Sequence, residues 1–467
     1  MPSDALYGIN AWRSSRNFPV ESPFHREWYC SMALVKKACY RCIQSFYSAA
    51  RAGFPDEKLP AGMEDMEVFS LLEAAADEMV EGKHFDHFIV PALQGGAGTS
   101  INMNVNEILA NVALQKMGLP AGRYDRIDPF RHANLFQSTN DVVPSALKLA
   151  VMQLLQELEE GINLLRSSVE GQEKRHRNSL RIAYTQMQQA LPSSYGMLFS
   201  AYSDAFSRDW WRVSKCFERI KVVNLGGGAT GSGMALPRYY VMEVVPHLQK
   251  LTNLPVTRSE NLTDTTQNLD ALVEVHAILK AHAVNLEKVA ADLRLLSSDL
   301  TGQAELSIPQ RQTGSSIMPG KVNPVVPEFV VSTAHKVYSN DMLITSLCGQ
   351  GSADLNPYLP TIGHAMIDSL KSLIAAGKTL HGNLLKDLVV RSEGARDKLL
   401  YSVSLTTALI PHIGYSKALS LAEHMREKGC SLPEANEALG LLSRERLDYL
   451  LKPENLLKLG YSLKDLR

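Results

Sequence analysis

The sequence predicts an all-α fold built around long bundle helices. The clearest helical pattern runs from Asn261 to Leu300, and similar patterns occupy residues 145–175, 197–220 and 360–385. Within the first pattern, leucines recur every seven residues and further apolar residues supply the three-and-four spacing: Leu272, Leu279, Leu286 and Leu293, with Val275, Val289 and Leu296. Such a repeat gives a helix one continuous apolar stripe that packs against other helices. No segment is rich in strand patterns.

The length of 467 residues exceeds that of a typical domain, and the chain divides into three predicted parts. Residues 1–140 mix short helical stretches with loops and form an N-terminal, mostly helical domain. Residues 141–390 carry the long helical patterns and form a central bundle domain. Residues 391–467 form a small C-terminal helical domain. Because helices this long cannot bury both flanks inside a thin monomer, a bundle made by several chains is expected.

The charge balance excludes several kinds of partner. Basic residues number 48 and acidic residues 49, and neither is gathered into a stripe. We therefore expect no nucleic acid and no membrane surface as partner.

No apolar stretch reaches the ~20 residues that a membrane span needs, and the first residues lack the basic and apolar regions of a secretory signal. A cytoplasmic enzyme is the expectation.

Two local motifs have both a functional and a structural interpretation. Cys39 and Cys42 form a C-x-x-C, but a structural zinc site needs about four ligands and no second pair lies nearby. The surrounding pattern is that of an amphipathic helix, so we predict buried helix cysteines and no metal site.

The glycine-rich segment 226–233 joins two helical patterns and lacks the lysine and hydroxyl of a phosphate-binding loop. We interpret it as close backbone packing near a site.

The segment 314–324, Gly-Ser-Ser-Ile-Met-Pro-Gly-Lys-Val-Asn-Pro, carries the strongest chemical signal. Gly314 and Gly320 allow the loop to close over a ligand. Lys321 and Asn323 provide a cation and an amide dipole, which hold and polarise a carboxylate. A serine is a poor base unless backbone N–H groups and a cation stabilise its alkoxide. A polar loop with a helix-capping serine is the alternative for a generic Ser-Ser pair.

This segment resembles, position for position, the signature loop of the aspartase/fumarase superfamily. The resemblance covers essentially the whole chain. Residues 7–18 are similar to the family's N-terminal arginine segment, residues 98–107 to its first conserved region and residues 137–141 to its second. Residues 261–270 resemble the aspartase branch rather than the fumarase branch.

The resemblance implies three helical domains whose central helices, from four subunits, form a twenty-helix core in a homotetramer. Each active site would collect residues from three subunits. The implied reaction removes a proton beside a carboxylate, after which the group on the neighbouring carbon leaves. The substrate would be a small amino acid, and no metal or organic cofactor is implied.

Residue roles follow from the same resemblance. Ser315 is the implied catalytic base. Four hydroxyl residues would hold the carboxylate that stabilises the intermediate: Thr99, Ser138, Thr139 and Ser316. The other carboxylate would be held by Lys321, Asn323 and Thr185. Thr99, Asn140 and Thr185 would also surround the departing amine, and Arg13 would reach the site from the N-terminal segment.

The chain departs from the family pattern at Gln186, where a histidine is expected after Thr185. Glutamine keeps hydrogen bonding but does not titrate near neutral pH. The change marks either a tolerated variant or an altered leaving amine. Segments 128–134, with Phe130 and Arg131, and 351–357 also match only in part, which favours altered specificity with the elimination chemistry retained.

The leading hypothesis is a carbon–nitrogen lyase acting on aspartate or a modified relative to give an unsaturated carboxylate. One alternative is an ergothionase-type elimination of trimethylamine from a quaternary amino acid. A fumarate hydratase is disfavoured by residues 264–270. A catalytically silent structural oligomer is the alternative from another class, against which the intact Ser315, Lys321 and Asn323 argue. The substrate, the direction of reaction and any regulation stay open at the level of sequence.

Overall fold

A computed structural model describes residues 2, 4–300 and 304–466, and these residues are predominantly helical, as the sequence predicts. The described α-helices are α1 (Ile9–Asn17), α2 (Arg26–Gly53), α3 (Glu67–Val80), α4 (Thr99–Lys116), α5 (Thr139–Arg175), α6 (Tyr195–Ile220), α7 (Arg238–Thr252), α8 (Leu262–Gln267), α9 (Asp270–Leu296), α10 (Val325–Cys348), α11 (Leu359–Thr379), α12 (Ser392–Leu400), α13 (Ile410–Ile413), α14 (Tyr415–Lys428), α15 (Leu432–Leu439), α16 (Arg444–Leu450) and α17 (Pro453–Leu456).

The described strands form three small two-stranded sheets. An antiparallel hairpin pairs β1 (Leu180–Thr185) with β2 (Gln188–Ser194). A parallel pair joins β3 (Val222–Val223) to β4 (Thr257–Arg258). An antiparallel pair joins β5 (Leu306–Ser307) to β6 (Val389–Val390). These strands were not predicted from the sequence. Two of the pairs contain only two residues per strand, too few for a strand pattern to be recognised.

The apolar stripe predicted from the seven-residue repeat is buried along α9, including Leu272, Leu279, Leu286 and Leu293. The predicted helix from Asn261 to Leu300 is nevertheless interrupted. Asn268 has extended backbone angles, so α8 ends at Gln267 and α9 begins only at Asp270. Asn261 caps α8, because its side chain accepts the N–H of Asp264.

The chain divides into two compact units. The first comprises Met1–Glu159, Trp211–Ala281 and His335–Ile374, and the second comprises Glu160–Trp210, His282–Ala334 and Ala375–Arg467. Helices α5, α6, α9, α10 and α11 contribute residues to both. The boundaries of the three domains given above stay predictions.

Each unit has its own apolar core. In the first, α2 packs against α3 and α7 and buries large aromatic side chains, among them Trp28, Tyr40 and Tyr240. In the second, Leu180 and Ile182 of β1 pack with buried leucines of the C-terminal helices, such as Leu405 and Leu421. The hairpin that carries Thr185 therefore rests on the C-terminal helices.

Cys39 and Cys42 are fully buried on α2, which confirms their interpretation as core residues. Burial raises the pKa of the Cys39 thiol to about 12.

Within residues 4–300 and 304–466, no cluster of histidine, cysteine, aspartate and glutamate side chains has the arrangement of a metal site. None of the helices in this part of the chain is long and apolar enough to cross a membrane. The cytoplasmic location stays a prediction.

Candidate active site

Two helix N-termini in the first unit hold four of the predicted site residues. Thr99 is the first residue of α4, and Ser138 immediately precedes Thr139 at the start of α5. A Cβ on Gly98 would meet Val143 Cγ1 at 3.0 Å, so the start of α4 lies directly against the first turn of α5. Free N–H groups and the helix dipole make both starts suitable for a carboxylate.

Side-chain hydrogen bonds fix these helix starts. Asn102 Nδ2 donates to Thr139 Oγ1 at 3.3 Å. The Asn140 amide donates to the carbonyl of Ala229 at 2.7 Å, and Asn224 donates back to the carbonyl of Asn140 at 2.8 Å. Asn140, predicted to face the amine, is thereby held against the glycine-rich loop, as the sequence interpretation of that loop expects.

A buried aspartate, Asp141, connects the start of α5 to the glycine-rich loop. It is fully buried, and its carboxylate accepts the N–H of Ser138 at 2.9 Å, of Gly228 at 3.0 Å and of Gly226 at 3.3 Å. Burial raises the pKa of this carboxyl to about 7, although the three N–H groups oppose the shift. One carboxylate therefore joins the start of α5 to the glycine-rich loop.

The glycine-rich loop packs its backbone tightly against α8. A Cβ on Gly231, whose φ is +80°, would collide with the backbone of Leu262 and Thr263. The sequence predicts that the loop joins two helices directly. This prediction is wrong, because β3 precedes the loop and pairs with β4. The predicted close backbone packing is confirmed.

Arg13 lies exposed on α1, and a buried carboxylate fixes that helix. Glu107 of α4 accepts the N–H of Gly8 at 2.8 Å, of Asn10 at 2.9 Å and of Ala11 at 3.2 Å. A carboxylate is stabilising at this helix end because the N–H groups there have no partner within the helix. A Cβ on Gly8 would approach Glu107 Cδ at 2.6 Å, so a larger residue there would displace this carboxylate.

Thr185 and Gln186 lie at the tip of the hairpin in the second unit. Thr185 pairs with Gln188, so the turn contains only Gln186 and Met187. Both have positive φ, +52° and +63°, as a type I′ turn requires. Gln186 is exposed, and no hydrogen bond from its side chain fixes it within the described part of the chain.

The serine loop, residues 314–324 of the second unit, places two backbone N–H groups beside the oxygen of Ser315. Ser315 Oγ accepts the N–H of Met318 at 2.9 Å and of Ile317 at 3.2 Å. Asn323 donates its amide to the carbonyl of Gly314. A Cβ on Gly314 would collide with the carbonyl of Lys321, so the ends of the loop are closed on each other and require glycine there. Ser316 and Lys321 are exposed.

Lys321 and Asn323 line a cavity of about 670 Å³ in the second unit. Four further charged side chains that the sequence analysis did not single out line it too: Arg294, Asp299, Glu328 and Arg391. Arg294 lies 3.8 Å from Glu328 Oε1. The cavity therefore presents cationic, acidic and serine hydroxyl groups beside the serine loop.

The two segments that depart from the family pattern have local partners. Arg131 forms an exposed ion pair with Glu64 at 2.7 Å, and Phe130 is exposed. In segment 351–357, the buried Asn356 donates to the carbonyls of Leu347 at 2.9 Å and Cys348 at 3.1 Å. Asn356 thereby caps the end of α10, which is a structural role.

The structure thus gathers Thr99, Ser138, Thr139 and Asn140 in the first unit, which also contains Arg13. Thr185, Gln186, Ser315, Ser316, Lys321 and Asn323 belong to the second. Hydroxyl-bearing helix starts and a serine beside two backbone N–H groups are the features that the resemblance described above implies for an elimination lyase.

Comparisons with known proteins agree with this class. A family model described as "Lyase" matches residues 1–339, and one described as "Fumarase C C-terminus" matches residues 405–458. The chain is 37% identical over 455 residues to an aspartate ammonia-lyase from a Bacillus species, covering 97% of this chain and 94% of the relative. It is 35% identical over 469 residues to aspartate ammonia-lyase of Escherichia coli (strain K12), covering 99% and 95%.

A solved structure titled fumarate lyase:delta crystallin from Brucella melitensis, bound to cobalt, superimposes with a TM-score of 0.89 at 32% identity. It covers 97% of this chain and 96% of that one. The chain belongs to the aspartase/fumarase superfamily, in its aspartase branch, and is a carbon–nitrogen lyase that eliminates ammonia or an amine.

Proposed function

We propose that the chain catalyses β-elimination of the amine from aspartate or a closely related amino acid, giving fumarate or the corresponding unsaturated carboxylate. The observation that carries the proposal is the pair of N–H bonds accepted by Ser315 Oγ, from Met318 and Ile317. Two backbone dipoles directed at one oxygen stabilise its alkoxide. The names of the aspartate ammonia-lyase relatives support the choice of substrate.

In the proposed reaction, the Ser315 alkoxide takes a proton from the carbon next to the β-carboxylate. The electron pair of that C–H bond moves into the carboxylate and gives an enediolate-like intermediate. Thr99, Ser138, Thr139 and Ser316 hold this carboxylate. Their hydroxyls and the N–H groups at the starts of α4 and α5 stabilise the added negative charge.

The intermediate then collapses and the bond from the α-carbon to nitrogen breaks. The nitrogen of an ammonium substrate takes the bonding electrons and departs as neutral ammonia, so this step needs no proton from the enzyme. Gln186 at the position of the family's histidine is therefore compatible with aspartate as well as with a substituted amine. Lys321, Asn323 and Thr185 hold the other carboxylate, while Asn140 and Gln186 face the amine.

The proposal includes a homotetramer in which different subunits complete each active site. Several large apolar side chains are exposed on the long helices, which favours burial against further copies of the chain. They are Leu164 on α5, Trp211 on α6, Val284 on α9, and Phe329 and Met342 on α10.

Hybrid oligomers test this assembly. Ser315→Ala and Thr139→Val chains are each expected to form inactive oligomers. When they are co-expressed in equal amounts, roughly a quarter of the sites regain both native residues if those residues come from different subunits. No recovery of activity in oligomers shown to contain both chains would contradict sharing of Ser315 and Thr139.

The Ser315→Ala variant alone tests the proposed chemistry. Formation of the unsaturated acid from aspartate, followed by its ultraviolet absorbance, should disappear while the oligomer is unchanged on gel filtration. Ser346→Ala, which removes an exposed serine whose Oγ bonds its own helix, is the matched control and should keep full activity. Retained elimination by Ser315→Ala would overturn the base assignment. A wild-type enzyme that is inactive on aspartate and its N-substituted derivatives would overturn the substrate.

A further inference from the structure

A buried carboxylate in the second unit, Glu305, is used by none of the steps above. Only 7% of it is exposed, and it accepts three side-chain hydrogen bonds. Tyr184 donates its hydroxyl to Oε1 at 2.7 Å. Tyr195 and Arg181 donate to Oε2 at 2.9 Å and 3.3 Å. The guanidinium of Arg181 also lies over both tyrosine rings, 5.7 Å and 5.5 Å from their centres.

The backbone of Glu305 is fixed on both sides. Its N–H donates to the carbonyl of Leu296 at the end of α9 at 3.0 Å, and its carbonyl accepts the N–H of Arg391 at 2.9 Å. The next residues form β5, which pairs with β6, and the chain continues from there into the serine loop. Glu305 therefore has little freedom to move relative to the segment that leads to Ser315.

The three donors all belong to the hairpin or to the helix that follows it. Arg181 and Tyr184 lie on β1, and Tyr195 is the first residue of α6. Tyr184 directly precedes Thr185 and Gln186 at the exposed tip. The rest of the tip has few attachments, since Met187 is 75% exposed. The bond from Tyr184 is the last side-chain anchor before the two residues predicted to face substrate.

We propose that Glu305 is a positioning residue that, through Tyr184, holds Thr185 and Gln186 at a fixed distance from the serine loop. This inference rests on the proposed function, in which Thr185 and Gln186 contact the substrate. Burial raises the pKa of the Tyr184 hydroxyl to about 12, so it remains a hydrogen-bond donor across the working pH range.

The test removes one hydroxyl and leaves the packing in place. In Tyr184→Phe, the KM for aspartate should rise about tenfold while kcat changes by less than about twofold, because binding is weakened equally in the ground state and the transition state. Amide hydrogen exchange in residues 180–194 should accelerate. Glu305→Gln is less suitable as the first variant, because it leaves the buried Arg181 without a counter-charge and risks misfolding.

Tyr202→Phe is the matched control, since the Tyr202 hydroxyl donates to Asp292 at 2.7 Å in the same unit rather than to Glu305. It should leave both KM and exchange in the hairpin at wild-type values. An unchanged KM in Tyr184→Phe, or an equal rise in both variants, would overturn the positioning role. If the wild-type enzyme does not act on aspartate, the proposed substrate fails. Hydrogen exchange then decides the inference, and hairpin exchange unchanged by Tyr184→Phe overturns it.

Discussion

The Nζ of Lys36, on α2, lies 3.2 Å from Oδ1 of Asn134, and the lysine is fully buried. The same oxygen accepts the amides of Asn102 at 3.0 Å and Asn106 at 3.1 Å. Asn102 in turn bonds Thr139 at the start of α5. Burial lowers the pKa of Lys36 to about 7. A buried lysine is thus connected, through two asparagines, to a hydroxyl predicted to bind the substrate carboxylate.

Replacing Lys36 by methionine should weaken both folding and substrate binding. The substitution keeps most of the volume but removes the hydrogen bond to Asn134, which should lower the free energy of unfolding by about 1–3 kcal/mol. Because Asn134 loses the lysine that fixes it, Asn102 and through it Thr139 are held less firmly, and KM should also rise. Urea denaturation and steady-state kinetics measure the two effects. Lys83→Met, at an exposed lysine, should change neither, and equal effects in the two variants would contradict the prediction.

Gly231→Ala should disrupt the glycine-rich loop much more than Gly233→Ala. Both glycines have positive φ, which costs an alanine about 1–2 kcal/mol. The new methyl at 233 would meet Val241 only at 3.4 Å, whereas at 231 it would collide with the α8 backbone. We expect Gly231→Ala to lose about 1–3 kcal/mol more stability in thermal or chemical unfolding. Equal losses of stability in the two variants would contradict the prediction, because they would mean that the loop at 231 moves away from α8 to accommodate the methyl group.

Stability should fall on mild acidification because of a stacked histidine pair. The rings of His25 and His364 lie 4.5 Å apart. Burial is the main cause that lowers the pKa of His25 to about 4, and the charges of His364 and Lys371 add to it. The carboxylates of Glu27 and Asp368 oppose this shift. The pKa of His364 is also lowered, by burial and by the charge of Lys336. The unfolded chain, with an ordinary pKa of 6.5, then binds a proton first as pH falls. Stability from this group is complete above about pH 6.5 and is lost towards pH 4.

His25→Phe removes this titration and keeps a ring in the stack. The difference in unfolding free energy between pH 7.5 and pH 4.5 should shrink by on the order of 2 kcal/mol. Urea melts at the two pH values measure it. The control His424→Phe, in α14, should keep the wild-type difference, and a His25→Phe protein that also keeps it would contradict the assignment to His25.

Gln186→His tests whether Gln186 sets the leaving amine. Histidine tolerates the left-handed backbone at this position better than most residues. We expect kcat/KM for aspartate, relative to N-methylaspartate and a trimethylammonium analogue, to rise about tenfold. Gln188→His, two residues further along the same exposed tip, is the control and should leave this ratio unchanged. An unchanged ratio in Gln186→His would mean that Gln186 is a tolerated variant.

The sequence predicts those parts of the fold and site that depend on neighbouring residues. The α9 stripe repeats along one helix, and the serine loop is closed by glycines and an asparagine within a single short segment. Glu107, Asp141 and Glu305 could not be predicted as organising carboxylates. Apart from Ser138, a near neighbour of Asp141, their partners lie about a hundred residues away in sequence, and only tertiary packing brings an acidic residue to them.

The sequence also did not predict the hairpin, because its strands do not keep a regular alternation of apolar and polar residues. Its inner residues Leu180 and Ile182 alternate as in a strand, but an irregular pairing between Ile182 and Tyr184 breaks the period, and the outer half is polar and exposed. The break at Asn268 was missed because the apolar spacing continues across it. Periodicity reports which face is buried, and a single extended residue hardly changes it.

The two-residue turn at Gln186 and Met187 has an evolutionary consequence. Adding or deleting one residue there would shift the register of β1 against β2 and turn the Thr185 side chain to the opposite face of the ribbon. Descendants of this gene can therefore vary the identities of the exposed tip residues far more freely than the length of the turn.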